Sequence, residues 1–209
     1  MREPVLRRTK EEAAQTREAI LDAAEEVFFQ RGVSQTSLNQ IAAAAQVTRG
    51  AIYWHFSNKS DLFRAMQDRA HLPQQEYFKA QAFLELEDPL TALLRFTDET
   101  FARFVTDERA KRVFTIILLR CEYVGEMEEA LCEHRANEDS MRTHVFAVFE
   151  YANRLGLLNR RWTPEAATDA FVCIIVGLLV EWLRNSCEFD LRTVGALSMQ
   201  GLFASLQKI

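Results

Sequence analysis

The sequence predicts an all-α protein, a small three-helix N-terminal module followed by a larger helical bundle. Three observations carry this. Leucine, alanine, glutamate and arginine are plentiful, while the 209 residues hold only 7 glycines and 4 prolines, a balance that favours helix. Apolar residues recur at helical spacing along most of the chain, and no run alternates as a half-buried strand would. Candidate N-caps, Thr36, Thr48, Thr163 and Asp190, stand just before such runs.

Taken in order, residues 1–10 (MREPVLRRTK) are basic and lack an apolar face, so they read as an arm, either reaching a groove of DNA or simply solvated. A first helix over Glu11–Arg31 gathers Ile20, Ala24, Val27 and Phe28 on one side and stops at Gly32. Thr36 is expected to cap a second helix from Ser37, with Leu38, Ile41, Ala42 and Ala45 on one face. Residues 44–47 break the pattern, and Thr48 caps a third helix, Arg49–His55, that exposes Thr48, Arg49, Tyr53, Trp54 and His55. Two short helices about a tight turn read as a helix-turn-helix, whose second helix would enter a DNA major groove, or as a small helical hairpin with a solvated basic edge. Gly50, in the first turn of that helix, costs roughly 1 kcal/mol against alanine unless something large must approach the backbone. Residues 27–60 contain no carboxylate and carry Arg31, Arg49 and Lys59, so a phosphate backbone meets no like charge there.

Ser57 or Asn58 caps the next helix, in which Leu62, Phe63, Met66 and Ala70 face inward and Lys59, at its start, is expected on the DNA side. Pro73 kinks or ends it, which suggests a joint between two modules. Helices are expected over Phe78–Leu86, Pro89–Val105 and Asp107–Tyr123, crowded with Phe78, Phe83, Phe96, Phe101, Phe104 and Phe114. Each phenylalanine alone reads as core; together they can line a cavity between helices. CEYVGEM, residues 121–127, bends the chain into a helix over Glu128–Leu155 that stops at Gly156. Thr163 and Pro164 start a helix that is apolar nearly all round from Phe171 to Leu183, and Asp190 caps a last one with Leu191, Val194, Leu197, Gly201 and Leu202 aligned. These two helices suggest either a four-helix seam with a second subunit or deep burial in the monomer. Leu178, Trp182 and Leu197 are the candidates for the seam.

The net charge of −5 and pI near 5.5 sit oddly with nucleic-acid binding until the charge is divided. Through residue 60 there are 8 Lys+Arg against 7 Asp+Glu, leaving 17 of the 25 basic and 23 of the 30 acidic residues for the remainder. The acidity therefore belongs to the C-terminal part, and DNA binding follows the local footprint. Cys121, Cys132, Cys173 and Cys187 lack CxxC spacing and read as reduced core thiols. No metal site is expected: Cys132, Glu133 and His134 do not share a helical face. The N-terminus has no apolar signal region, and the longest apolar run, 170–180, is too short to span a bilayer, so a cytoplasmic protein with no membrane partner is expected. No GxSxG, HExxH, Walker or dinucleotide-binding glycine pattern is present, and no enzyme or cofactor is expected.

The segment TSLNQIAAAAQVTRGAIYWHFSNKSDLF resembles the DNA-binding segment of TetR-family repressors, whose I-A-x-x-A-G-V-x-x-G-x-x-Y-x-H-F-x-x-K-x-x-L pattern is met by Ile41, Ala42, Ala45, Val47, Gly50, Tyr53, His55, Phe56, Lys59 and Leu62. Gln46 departs from the family's glycine at a position expected to be left-handed, where a side chain costs roughly 1 kcal/mol. CEYVGEM, GLLVEWL, FDL at 189–191 and the N-terminal RRTKEEAAQTREAIL are similar to AcrR-type repressors, which control multidrug efflux pumps. The resemblance implies a DNA-binding domain at 1–56 and a ligand-binding and dimerisation domain at 57–209. It implies a homodimeric repressor that binds a double-stranded, palindromic operator and is released by a drug; a DNA-binding protein that senses nothing is the alternative. By the family motif Thr48, Arg49 and Gly50 face base edges, while Thr36, Tyr53, His55 and Lys59 hold phosphates. The acidic, aromatic C-terminal part suggests small apolar or cationic ligands, with Phe114, Phe146 and Phe171 as walls and Gln67, His71 and Glu181 as polar contacts.

Overall fold

A computed structural model describes residues 10–69 and 82–208. Among them the chain forms nine α-helices: α1 Lys10–Arg31, α2 Leu38–Ala44, α3 Arg49–His55, α4 Lys59–Arg69, α5 Pro89–Thr106, α6 Glu108–Leu119, α7 Glu128–Arg154, α8 Pro164–Arg184 and α9 Leu191–Leu206. A 3-10 turn, Gly125–Met127, precedes α7. The expected Pro73 joint and the first part of the helix expected at Phe78–Leu86 lie outside the described residues; Phe83–Leu86 forms a turn.

Two compact units result. The N-terminal one runs through Arg69 and takes in Arg120–Leu131, so the boundary expected after residue 56 is displaced: α4 packs on α1 within this unit. Ile20, Leu21, Ala24, Phe28, Ile41, Ile52, Leu62, Phe63 and Met66 form its core. The α2 cap differs from expectation by one residue. Ser37 is the N-cap, and with Gln40 it makes a reciprocal capping box: Ser37 N–H donates to Gln40 Oε1 at 2.8 Å and Gln40 N–H to Ser37 Oγ at 3.4 Å. Thr36 is 2% exposed and its hydroxyl donates to the Gly32 carbonyl at 2.7 Å. Gln46 is left-handed at φ 55, as the missing glycine implied. The far end of α4 is fixed to α1 by Arg69, whose guanidinium reaches Asp22 at 2.7 Å, Glu25 at 2.8 Å and Glu18 at 3.2 Å. Glu25 is itself 3% exposed, and this paired arrangement is what makes burying its charge tolerable.

The helix expected to run to Tyr123 ends at Leu119, and Tyr123 instead lies edge-on to Phe63 in the N-terminal unit, ring centroids 6.3 Å apart. In the C-terminal unit Pro sits in the first turn of α5 and α8 behind the caps Asp88 and Thr163, and Asp190 caps α9. Phe149, Phe171 and Phe203 pack edge-to-face and tilted at 5.9–6.3 Å around the centre of the core. The α5–α9 seam is closed where Phe101 lies on Gly195; a Cβ there would come within 2.7 Å of the ring. By length and composition α8 could cross a membrane, at a mean hydropathy of 1.9, but Phe171, Val172, Leu179, Trp182 and Leu183 are buried in the unit's own core. The cysteines differ from expectation: Cys132 and Cys173 are exposed, and Cys121 and Cys187 half-buried.

Candidate DNA-reading surface and ligand cavity

Thr48 starts α3 by accepting a hydrogen bond from Ala51 N–H at 3.2 Å, while Ile52 and Phe56 anchor the helix from below. This leaves Thr48, Arg49, Gly50, Tyr53 and Trp54 exposed and His55 half-buried. Trp54 is 71% exposed, with the His55 ring edge-on at 4.5 Å. The Arg49 guanidinium donates to the Tyr53 hydroxyl at 3.0 Å and lies 5.3 Å from that ring's centre. A Cβ on Gly50 would meet nothing nearer than Thr48 Oγ1 at 3.8 Å. Packing within the chain therefore gives no reason for glycine at this exposed helical position, and close approach of an external body does.

Two residues expected to hold phosphate are turned inward. Thr36 is buried, its hydroxyl committed to Gly32. Lys59 is 5% exposed, and its Nζ donates to the carbonyls of Val33 and Thr36, each at 3.0 Å, and pairs with Glu126 at 2.5 Å. That ammonium closes the junction of α1, α2 and α4 rather than facing DNA. The turn into α4 is held by two side-chain caps, Asn58 Oδ1 accepting from Asp61 N–H at 2.7 Å and Asp61 Oδ2 accepting from Ser57 N–H at 2.9 Å. The Ser57 bond, with Arg64 beside it, holds the Asp61 carboxyl below the usual carboxylate range. Burial pushes the Cys121 thiol, near Lys59, up to about 11.

In the C-terminal unit a cavity of about 30 Å³ lies among α5, α7 and α8, walled by Phe96, Phe101 and Phe104, by Met141 and Val145, and by Phe171, Ile175 and Leu179. Thr97 and Thr100 also border it, but their hydroxyls donate to the Leu93 and Phe96 carbonyls at 2.8 Å. No charged side chain is in this lining. Of the residues expected here, Phe171 is a wall. Phe114 stands one ring behind, edge-on to Phe104 at 5.0 Å, and Phe146 is half-buried beside Val145 without lining the space. Glu181 is exposed on α8 and bonded to Asn185 and Arg184, Gln67 belongs to α4 in the N-terminal unit, and His71 lies outside the described residues.

The expected seam is also partly corrected. Leu197 is 65% exposed and Leu178 half-buried, whereas Trp182 is 3% exposed, donates its indole N–H to the Phe189 carbonyl at 2.9 Å and packs on Phe104. Besides Leu197, α8 and α9 expose Cys173, Val176, Val194 and two helical glycines, Gly177 and Gly201, at which a Cβ would meet nothing within 4 Å.

A helix-turn-helix unit with an exposed, acid-free reading helix, joined to an all-helical unit with an apolar cavity, defines a DNA-binding regulator. Residues 20–66 match the family model of bacterial regulatory proteins of the tetR family, and residues 88–206 that of the MAATS-type transcriptional repressor C-terminal region. The chain belongs to the TetR family. It is 44% identical over 206 residues to the HTH-type transcriptional repressor BepR of Brucella suis, covering 97% of each chain. Its fold is similar to that of native NalD, the secondary repressor of the MexAB-OprM multidrug efflux pump in Pseudomonas aeruginosa, at a TM-score of 0.80 and 35% identity over 94% of this chain and 98% of that one. It is similar too to SmeT, the repressor of the Stenotrophomonas maltophilia multidrug efflux pump SmeDEF, in its complex with triclosan, at a TM-score of 0.80 and 29% identity over 93% and 92%.

Proposed function

We propose that this protein is a cytoplasmic, homodimeric repressor of a multidrug efflux operon, released from a palindromic operator by small apolar ligands. The observation that carries the DNA half of this reading is the exposed α3 surface, where Arg49, Tyr53 and Trp54 share a short helix with a glycine that packing within the chain does not require. Arg49 is the base reader, since a guanidinium matches the O6 and N7 acceptors of guanine, and Tyr53 and His55 flank it toward the phosphates. The likeness to NalD and SmeT supports an efflux operon as the target.

The cavity favours neutral over cationic ligands, because its lining offers aromatic and aliphatic groups with no anion and no uncommitted hydroxyl. SmeT's triclosan complex makes that compound, a neutral biaryl ether, the natural first probe. The α8–α9 face supports the dimer: helical glycines with nothing over them suit the close approach of a partner helix. Footprinting the protein on DNA upstream of its own gene tests the proposal. Protection of an inverted repeat is the expected result, and uniform protection without sequence preference would overturn it.

A further inference from the structure

A cavity of about 30 Å³ holds a water or two, so a drug-sized ligand enters only if a wall yields. The walls are not equivalent. On the α5 side Phe101 is pinned against Gly195 of α9, where not even a methyl group fits, and α5 and α9 pack backbone-close along their lengths. The α8 wall is backed by α9 in the same way. Among the described residues α7 forms no such backbone-close seam with another helix. It meets the cavity through Val145 and through the half-buried, unbranched Met141, a side chain that adjusts at low cost.

The two ends of α7 belong to different bodies. From Cys132 onward it is part of the C-terminal unit, but Glu128–Leu131 and the preceding turn belong to the N-terminal one. That turn is gripped firmly: Val33 N–H donates to the Arg120 carbonyl at 2.9 Å, Tyr123 packs on Phe63, Met127 is 1% exposed, and Glu126 pairs with Lys59. Lys59 in turn holds the carbonyls of Val33 and Thr36, which set where α2 begins. Glu126 stands two residues before the first residue of α7.

We infer that α7 is the wall that yields to ligand, and that Glu126, acting through Lys59, is the positioning residue by which its displacement reaches the helix-turn-helix. The inference rests on the ligand-responsive reading above and gives it a route. Because coupling between two sites is reciprocal, DNA bound at α3 must be felt along α7 even without ligand.

Hydrogen exchange on the full-length protein, with and without a duplex that the wild-type protein has selected from random-sequence DNA, tests this. In wild type the duplex should slow exchange in residues 49–55, and in residues 136–146 by about fivefold or more beyond any slowing in α9, which reports general stabilisation by binding. Glu126→Gln should keep the melting temperature, because Lys59 retains its two carbonyls and Glu126 is itself 62% exposed. It should also keep the protection of 49–55 and lose the excess in 136–146; Glu126→Asp, which restores the charge, should regain it. A merely structural role would leave the 136–146 response in place. Wild type showing no excess there, or Glu126→Gln showing the wild-type excess, overturns the inference. No slowing in 49–55 of wild type is a different failure, that of the DNA-reading surface itself.

Discussion

Lys59 donates to the carbonyl of Thr36 at 3.0 Å, so the first residue of α4 holds the residue just before the α2 cap. The family-motif lysine thus positions the reader from inside. Lys59→Met leaves the Thr36 carbonyl without its donor, while the Val33 carbonyl keeps the Thr36 N–H at 3.2 Å, at a cost of about 1–3 kcal/mol. The N-terminal unit should melt earlier and operator affinity should fall, with the salt dependence of binding unchanged. A salt slope lowered by about 1 would mean that the ammonium neutralises a phosphate after all.

Arg49→Ala should act on discrimination. Removing a bidentate base contact costs about 1–3 kcal/mol at one base pair of each half-site, so competition against operators changed at single positions should show relaxed preference at that pair and an unchanged order elsewhere. A uniform loss across all sequences would make Arg49 a phosphate contact.

Leu197→Glu and Trp182→Ala separate the seam from the core. Leu197 is 65% exposed, so a carboxylate there is harmless to the monomer and costly in a dimer interface; sedimentation should show a folded monomer that has lost operator binding. Trp182→Ala empties a core site and should cost about 3–5 kcal/mol of stability, seen as early melting. A dimeric Leu197→Glu variant would move the interface elsewhere.

Gly195→Ala should shrink the cavity. The new methyl would lie 2.7 Å from the Phe101 ring, forcing that ring toward the space it walls, with an overpacking cost of about 1–3 kcal/mol. Binding of an apolar ligand should weaken while operator affinity in its absence holds, and adding Phe101→Leu should relieve the clash. Unchanged ligand affinity in a folded Gly195→Ala protein would place the binding site away from Phe101.

The reading helix was legible in the sequence because short-range rules govern it: Thr48 caps it, Gly50 marks its open turn, and the acid-free stretch marks its surface. The cavity was half legible. Phe171, Ile175 and Leu179 recur every four residues on α8, as do Met141 and Val145 on α7, but a cavity wall and a packed core share that spacing. What misled was charge. Lys59 stands at a helix start and in the family motif, and Glu181 is an acid in an apolar helix, yet one is drawn inward by carbonyls 23 and 26 residues away and the other is satisfied by Arg184 and Asn185 on its own helix and cap. Trp182 likewise lies in an all-round apolar pattern that does not say which face turns inward.

The most direct measurement is a pair of calorimetric titrations of triclosan into the protein, one free and one saturated with operator. A ligand-responsive repressor binds the compound more weakly when operator is present, by roughly 5- to 150-fold for a coupling of 1–3 kcal/mol, and triclosan weakens operator binding by that same factor. Tight binding of equal strength in both titrations would contradict a cavity that works as a switch.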